Sequence, residues 1–439
     1  MNLAKKLYIE TFGCQMNVND TETMFTLLKD LDYTPTDDPS CANLIILNTC
    51  CIRAKAEQKV YSELGRLKGL KRGGRRVILG VGGCIAQQEG DRLFKRVPYL
   101  DLVFGTHSLH LLPEMVRAAE TGERLAWNDF LDPEARLDLF PHRDADGSVS
   151  RFVTVMQGCD NFCSYCIVPY VRGREISWRS EDILREIREM TTSGVREVTL
   201  LGQNVNSYGL KSPGEPDFAG LLRRVAAIDG IERIRFTTSH PKDISPSLIE
   251  CFSDLEKLCG HIHLPAQSGS DRILQRMNRG YTRREYLEKI TALKQARPDI
   301  SITGDMIVAF PGETEDDFLQ TLSLMEEVGY ADLFSFVFSA RRETAAAKLP
   351  DDLSRREKEK RLERLQKFQD RLSMERNEGL VGTRQEVLVE GESKRPGQIF
   401  GRTGGNRIVN FAADPGLKGS IVPVRIVRAF RNSLLGERL

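Results

Sequence analysis

The stretch Gln157-Gly158-Cys159-Asp160-Asn161-Phe162-Cys163-Ser164-Tyr165-Cys166 decides how this chain is read. Its thiols are spaced C-x3-C-x2-C, close enough on one loop to converge on a single soft metal centre, and no fourth cysteine stands at a matching distance. A structural zinc loop usually takes four ligands, often as two C-x2-C pairs. Three ligands instead leave one corner of a four-iron cluster open for chemistry. An odd number of cysteines on one tight loop makes no disulfide framework. The aromatic Phe162 and Tyr165 fit a centre shielded from water. The loop directly follows the strand-like run Phe152–Met156, which puts the metal at the carboxyl end of a strand.

Outward from that strand, six strand–helix repeats are predicted over residues 151 to about 345. The strands are Phe152–Met156, Glu197–Leu201, Ile234–Thr237, His261–Leu264, Ser301–Val308 and Leu333–Val337. Helices fit Ser180–Thr191, Asp217–Ile228, Ser245–Phe252, Asp271–Met277, Arg283–Ala296 and Glu315–Val328. Six units are too few to close an eight-stranded barrel, so a partial (βα)6 barrel is expected, with its site at the mouth formed by the strand ends. Gln203, Asn204, Ser239 and Gln267 fall at that mouth and are candidates for holding a cofactor or base, or are satisfied structural polar groups. His261 and His263 share one strand face by the period of two.

Residues 1–125 read as an open parallel α/β domain. Its predicted strands are Leu7–Thr11, Leu44–Asn48, Val77–Val81 and Leu102–Phe104; its helices are Asp20–Leu31, Arg53–Lys68, Ala86–Phe94 and Leu109–Ala119. Cys14, Cys50 and Cys84 each lie just past one of the first three strands. Carboxyl ends of parallel strands share one edge, so these three thiols are expected to meet there as a second iron–sulfur site. Buried free thiols are the alternative, and Cys51 beside Cys50 leaves the second ligand open. Cys41, Cys251 and Cys259 read as core or surface thiols. Residues 126–144 read as a linker, 145–375 as the core domain and 376–439 as a small β-barrel. The barrel strands are Gln385–Glu390, Gln398–Phe400, Asn406–Phe411 and Ser420–Val427, and a charged helix, Ser354–Asn377, precedes them.

The chain of 439 residues has a net charge of +1, yet residues 353–439 hold nineteen Lys/Arg against eleven Asp/Glu. A basic end on an acidic body suits a nucleic-acid grip, or is a solvated charged surface. Neither a signal peptide nor an apolar run long enough for a membrane span is read from the sequence, and ten cysteines without a secretion signal suggest a reducing compartment.

These motifs together resemble the radical S-adenosylmethionine (SAM) methylthiotransferases over essentially the whole chain. The residues that carry the resemblance are Thr11–Asn17, the cysteine loop continuing through Val168–Glu175, Leu200–Tyr208, Phe236–Pro241, His263–Ser270 and Gly401–Arg407. The match is strongest with the branch acting on isopentenylated adenosine beside the tRNA anticodon. The resemblance implies two [4Fe-4S] clusters, one on Cys159, Cys163 and Cys166 and one on Cys14, Cys50 and Cys84. It also implies SAM as cofactor, a C-terminal TRAM domain that binds RNA, and no catalytic side chain beyond the cluster ligands. Arg402, Asn406 and Arg407 would suit phosphate, or are solvated residues of a glycine-rich hairpin. A flavodoxin or ferredoxin donor, a cytoplasmic monomer and the tRNA anticodon stem-loop complete the expectation. Relatives acting on threonylcarbamoyl-adenosine in tRNA or on a ribosomal-protein aspartate, and a non-catalytic iron–sulfur RNA-binding protein, are the alternatives. Two departures from the family pattern stand out: Ala309, where glycine is common, and Ala340-Arg341-Arg342-Glu343-Thr344, which differs from the usual Ser-Arg-Arg-x-Gly-Thr.

Overall fold

The computed structural model describes residues 5–51, 54–72, 76–140 and 147–439. The N-terminal body is a parallel sheet of six strands: β1 Lys5–Thr11, β2 Tyr33–Pro35, β3 Leu44–Thr49, β4 Ile78–Gly83, β5 Leu102–Phe104 and β6 Leu125–Trp127, in the order β2-β1-β3-β4-β5-β6. All six residues of β3 are buried, as a central parallel strand covered on both faces requires. Three of the four predicted strands extend beyond their expected bounds, and two short ones were not foreseen. One of these, β6, uses residues assigned to the linker: Leu102, Val103 and Phe104 pair with Leu125, Ala126 and Trp127.

The predicted helix Ala86–Phe94 is two helices, Cys84–Glu89 and Arg92–Arg96, divided at Gly90 with φ +50°. The predicted helix Asp20–Leu31 starts earlier and spans Gln15–Lys29, so Cys14 is its N-cap residue. The start of the predicted helix at Arg53 lies outside the described residues.

The core opens with β7 Ser150–Thr154 and a small antiparallel pair, β8 Met156–Gln157 with β9 Ile176–Ser177. It continues through β10 Glu197–Leu201, β11 Arg233–Thr237, β12 His261–His263, β13 Ser301–Val308 and β14 Asp332–Val337. Two parallel three-stranded sheets, β7-β10-β11 and β12-β13-β14, meet at a bridge between Ile234 and Leu258. The strands thus follow chain order, as in a partial barrel. Helices Arg283–Ala296 and Glu315–Val328 match their expected bounds, each opened by a capping box that marks its start in sequence. A capped helix, Arg355–Glu378, then crosses the expected 375/376 boundary.

The C-terminal unit is a closed five-stranded barrel: β15 Arg384–Glu392, β16 Gln398–Thr403, β17 Ile408–Ala412, β18 Ile421–Ala429 and β19 Leu434–Arg438. The sequence reading missed β19, which closes it between β17 and β18.

This barrel docks on the amino-terminal ends of the core strands, opposite the mouth. Arg233 donates to the carbonyls of Arg402 and Glu386 at 2.6 and 2.7 Å. Arg235 donates to those of Thr403 and Gly404 at 2.7 and 3.0 Å, and pairs with the buried Glu197 at 2.8 Å. The hairpin Thr403–Arg407 therefore sits on the floor of the core.

Candidate metal centres

The C-x3-C-x2-C loop is held by the chain on every side. Gly158 has φ +81°, and a Cβ there would lie 2.1 Å from the Arg174 carbonyl oxygen, so only glycine fits. Its N–H donates to Gln203 Oε1 at 2.5 Å. Ser164 N–H donates to the Met277 carbonyl, and Asn278 Nδ2 donates to that of Phe162 at 3.1 Å. Cys159 and Cys163 are buried. Burial pushes the Cys159 thiol up to about 11 and the Cys166 thiol to about 12, with Cys163 adding to both.

Two neighbours of Cys163 were not singled out in the sequence: Arg279 lies outside every motif, and His240 lies inside Phe236–Pro241 with no role assigned to it. Arg279 is 4% exposed. Its Nη1 lies 3.3 Å from Cys163 Sγ and also donates to Tyr165 Oη at 3.3 Å, while Nε and Nη2 donate to Tyr281 Oη and the Pro265 carbonyl. His240 Nε2 lies 3.8 Å from the same sulfur. Because His240 Nδ1 accepts the Lys242 N–H, a neutral ring carries its proton on Nε2, facing the sulfur. Burial, with Arg279 nearby, holds this histidine neutral.

Among the four mouth candidates the structure separates roles. Asn204 is consumed by the fold: Oδ1 accepts the His240 N–H and Nδ2 donates to Asp243. Gln203 fixes the cysteine loop. Ser239 Oγ is buried without a hydrogen-bond partner, and Gln267 holds φ +73° beside β13. His261 and His263 do share a face, both meeting Thr303 Oγ1 at 3.1 Å.

The second cysteine set lies at the N-terminal strand ends, where Cys84 acts electrostatically on Cys14. Gly13, φ +136°, packs so closely on Cys50 that a Cβ would lie 2.6 Å from Cys50 Cβ. Asn17 and Asn48, both fully buried, stitch the strand ends together. Asn17 Nδ2 reaches the carbonyls of Phe12 and Thr49, and Asn48 Nδ2 reaches the Asn17 carbonyl. Burial raises the Cys14 thiol, while the Arg172 charge opposes it. A hydrogen bond from Cys51 holds the Cys84 thiol below its ordinary range against burial, and Arg172 adds to this. Cys50 thus stands on the Cys14 side of the site and Cys51 on the Cys84 side. Cys251 and Cys259 are buried and Cys41 is exposed.

One segment joins the two sets. Ile167 and Val171, just past Cys166, pack in the same apolar cluster as Cys51 and Cys84. Thr106 Oγ1 donates to the Val171 carbonyl at 2.6 Å, and His107 Nε2 meets the Arg172 carbonyl at 3.1 Å.

Among the described residues no group of three His, Cys, Asp or Glu side chains is arranged to hold a single metal ion. A cluster places each thiolate on a separate iron, so its ligands stand farther apart than those around one ion. The Cys14, Cys159 and Cys166 thiols, raised by burial and each in a set with a guanidinium nearby, fit such a group, since metal charge is what deprotonates them.

Arg402, Asn406 and Arg407 are not presented to solvent as a free basic face. Arg407 Nη2 donates to the Ala331 carbonyl at 2.5 Å; Arg402 pairs with Glu390 at 3.0 Å and donates to Asn406 at 3.4 Å. Their hairpin turns onto the core floor because Arg233 and Arg235 take its carbonyls.

Residues 6–105 match the uncharacterized protein family UPF0004, 153–325 the radical SAM superfamily and 379–439 the TRAM domain. A Geobacter metallireducens protein named tRNA-2-methylthio-N(6)-dimethylallyladenosine synthase is 71% identical over 433 residues, covering 99% of this chain and 98% of that protein. The equally named proteins of Geobacter sulfurreducens and Geotalea uraniireducens are 68% and 65% identical, covering 99% and 100% of this chain and 97% and 99% of theirs. Among solved structures, the radical SAM methyltransferase TsrM of Kitasatospora setae, with cobalamin and a [4Fe-4S] cluster bound, superposes with TM-score 0.58 at 12% identity. That match covers 90% of this chain and 82% of TsrM. The cobalamin-dependent radical SAM enzyme OxsB gives 0.53 at 13%, covering 84% of this chain, which spans just over half, 56%, of OxsB. At such identities these two likenesses concern the fold.

Proposed function

The chain belongs to the family of tRNA-2-methylthio-N(6)-dimethylallyladenosine synthases, radical-SAM methylthiotransferases, and from that premise we propose that it adds a methylthio group to C2 of dimethylallyl-adenosine in tRNA using two [4Fe-4S] clusters. The observation that carries the two-cluster reading is the segment Ile167–Arg172, which leaves the first cysteine set and packs directly on the second. When bound, the clusters and SAM supply the one-electron and group-transfer chemistry that an unactivated adenine C–H bond needs and side chains lack.

In this reading Cys159, Cys163 and Cys166 hold one cluster. Gln203 fixes their loop through Gly158, and Arg279 and His240 donate to the Cys163 sulfur, lowering the cost of its buried negative charge. Ser239, with a free buried hydroxyl, and Gln267 are the mouth groups left to meet SAM or the base, whereas Asn204 positions His240. Cys14, Cys50 and Cys84 hold the other cluster; Cys50 is preferred to Cys51 because it stands against the turn that carries Cys14. Phosphate contacts come from exposed cations of the small barrel, Lys394, Arg395, Arg425 and Arg428, in place of Arg402, Asn406 and Arg407. A flavodoxin or ferredoxin delivers electrons in the reducing cytoplasm. No helix among the described residues is long and apolar enough to cross a membrane.

Iron and sulfide analysis of anaerobically reconstituted protein tests the proposal. About eight irons per chain are expected, falling to about four in Cys159/Cys163/Cys166→Ala. Cys14→Ala, Cys50→Ala and Cys84→Ala are each expected to keep SAM cleavage and lose methylthiolation. Methylthiolation surviving in Cys50→Ala but lost in Cys51→Ala would transfer the ligand role to Cys51. About four irons in the wild type and almost none in the triple variant would leave one cluster and end the proposal.

A further inference from the structure

Arg172 lies six residues past Cys166 in the chain, yet its guanidinium is committed to the N-terminal body. The side chain is 3% exposed, and Nη2 donates to Asp20 Oδ2 at 2.7 Å and to Asn17 Oδ1 at 3.2 Å. The Cys14 thiol donates to that same Asn17 oxygen at 3.6 Å, so guanidinium and thiol share one acceptor. The charge also acts on Cys84, across the site from Cys14. Nη1 is buried and has no hydrogen-bond partner. A buried guanidinium donor left unmatched is costly. Asp20 supplies one negative charge, and the guanidinium stands close enough to the Cys84 thiol to act on it through hydrogen bonding as well as charge. The backbone at this point is anchored, because the carbonyls of Val171 and Arg172 are bonded by Thr106 and His107.

We infer that Arg172 is a positioning residue for the N-terminal thiol site: its free Nη1 donates to the sulfur of a cluster held there by Cys14, Cys50 and Cys84, and its charge sets that cluster's reduction potential. The inference rests on the two-cluster reading above. Reduction adds negative charge to a cluster, so a nearby cation and a donor to sulfur stabilise the reduced state and raise the potential. Asp20 acts in the opposite sense, since it neutralises part of the guanidinium's field. Among the described residues no hydrogen bond links Arg172 to Cys159, Cys163 or Cys166, where Arg279 has that place.

The test uses full-length protein with Cys159/Cys163/Cys166→Ala, which leaves the N-terminal site alone, reconstituted anaerobically and titrated with EPR detection. Arg172→Met is expected to retain iron and shift the midpoint potential to more negative values. Arg172→Lys, which keeps charge but loses the fork, falls between Met and wild type, and Asp20→Asn shifts it to more positive values. A structural role alone would move no potential while iron is retained, or would move the Met and Asn variants the same way; either result overturns the inference and leaves the two-cluster reading standing. Absence of iron from the background protein overturns both. Where Arg172→Met fails to fold, the opposed shifts of Arg172→Lys and Asp20→Asn decide.

Discussion

Ala309 shows what a single backbone angle records. It follows β13 at the mouth, is buried, and holds φ +56°, a left-handed conformation that a Cβ disfavours by about 1–2 kcal/mol. Glycine removes that strain but adds unfolded-state freedom worth about 0.4–1 kcal/mol. Ala309→Gly is therefore expected to stabilise the protein modestly, by about 1 kcal/mol or less, read as a higher urea midpoint at unchanged slope. The sequence pointed at this position through its departure from a family glycine, and the angle explains why glycine is common there. The six proposed ligand cysteines were legible for a related reason: spacing and strand-end placement are periodic signals. Arg172, Arg279 and His240 were not, because each is a lone polar residue whose role comes from long-range packing; Arg279 meets Cys163 only after a separation of 116 residues. Arg172 and His240 do fall within motifs that carry the family resemblance, Val168–Glu175 and Phe236–Pro241, but the motifs name no partner for them, and Arg279 lies in none.

Among elements, strand and helix placement in the core was read closely because each unit repeats the same alternation and several helices announce themselves with capping boxes. What failed was tertiary in origin. Gly90 divides a helix whose pattern looked continuous, β6 recruits residues that composition assigns to a linker, and β19 is needed only to close a barrel. The glycine-rich hairpin adds a contact no pattern announces: its backbone carbonyls are taken by Arg233 and Arg235 of the core. Glu197 and Arg235, 2% and 6% exposed, are the buried ion pair under this contact. Removing one member strands the other, which costs about 3–5 kcal/mol, whereas removing both costs far less. Arg235→Met is thus expected to lower the unfolding temperature strongly and to expose residues 379–439 to protease. The Glu197→Gln/Arg235→Met double variant should recover much of the lost stability, and a double variant as unstable as the sum of the single ones would show that the pair is uncoupled.

At the scale of the molecule, both cysteine sets lie toward the mouth and the small barrel closes the opposite end, so under the proposed function a tRNA that reached both would run along the flank. The basic surplus of residues 353–439 accordingly divides in two. Arg407 and Arg402 hold the barrel to the core or pair within it; Lys394, Arg395, Arg425 and Arg428 are exposed and make no ion pair among the described residues. Each cation that neutralises a phosphate releases counterions, so its loss should flatten the salt dependence of binding by a fixed step, roughly 0.7–0.9 in the slope of log K against log salt. Arg425→Ala and Arg428→Ala are each expected to show that step with substrate tRNA and to leave the unfolding temperature nearly unchanged. Arg407→Ala is expected to do the reverse, lowering the unfolding temperature while leaving the slope intact, because its guanidinium bonds a carbonyl of the core. A slope change in Arg407→Ala with none in the β18 variants would return the hairpin to the RNA and would require the barrel to detach from the core floor before the nucleic acid binds.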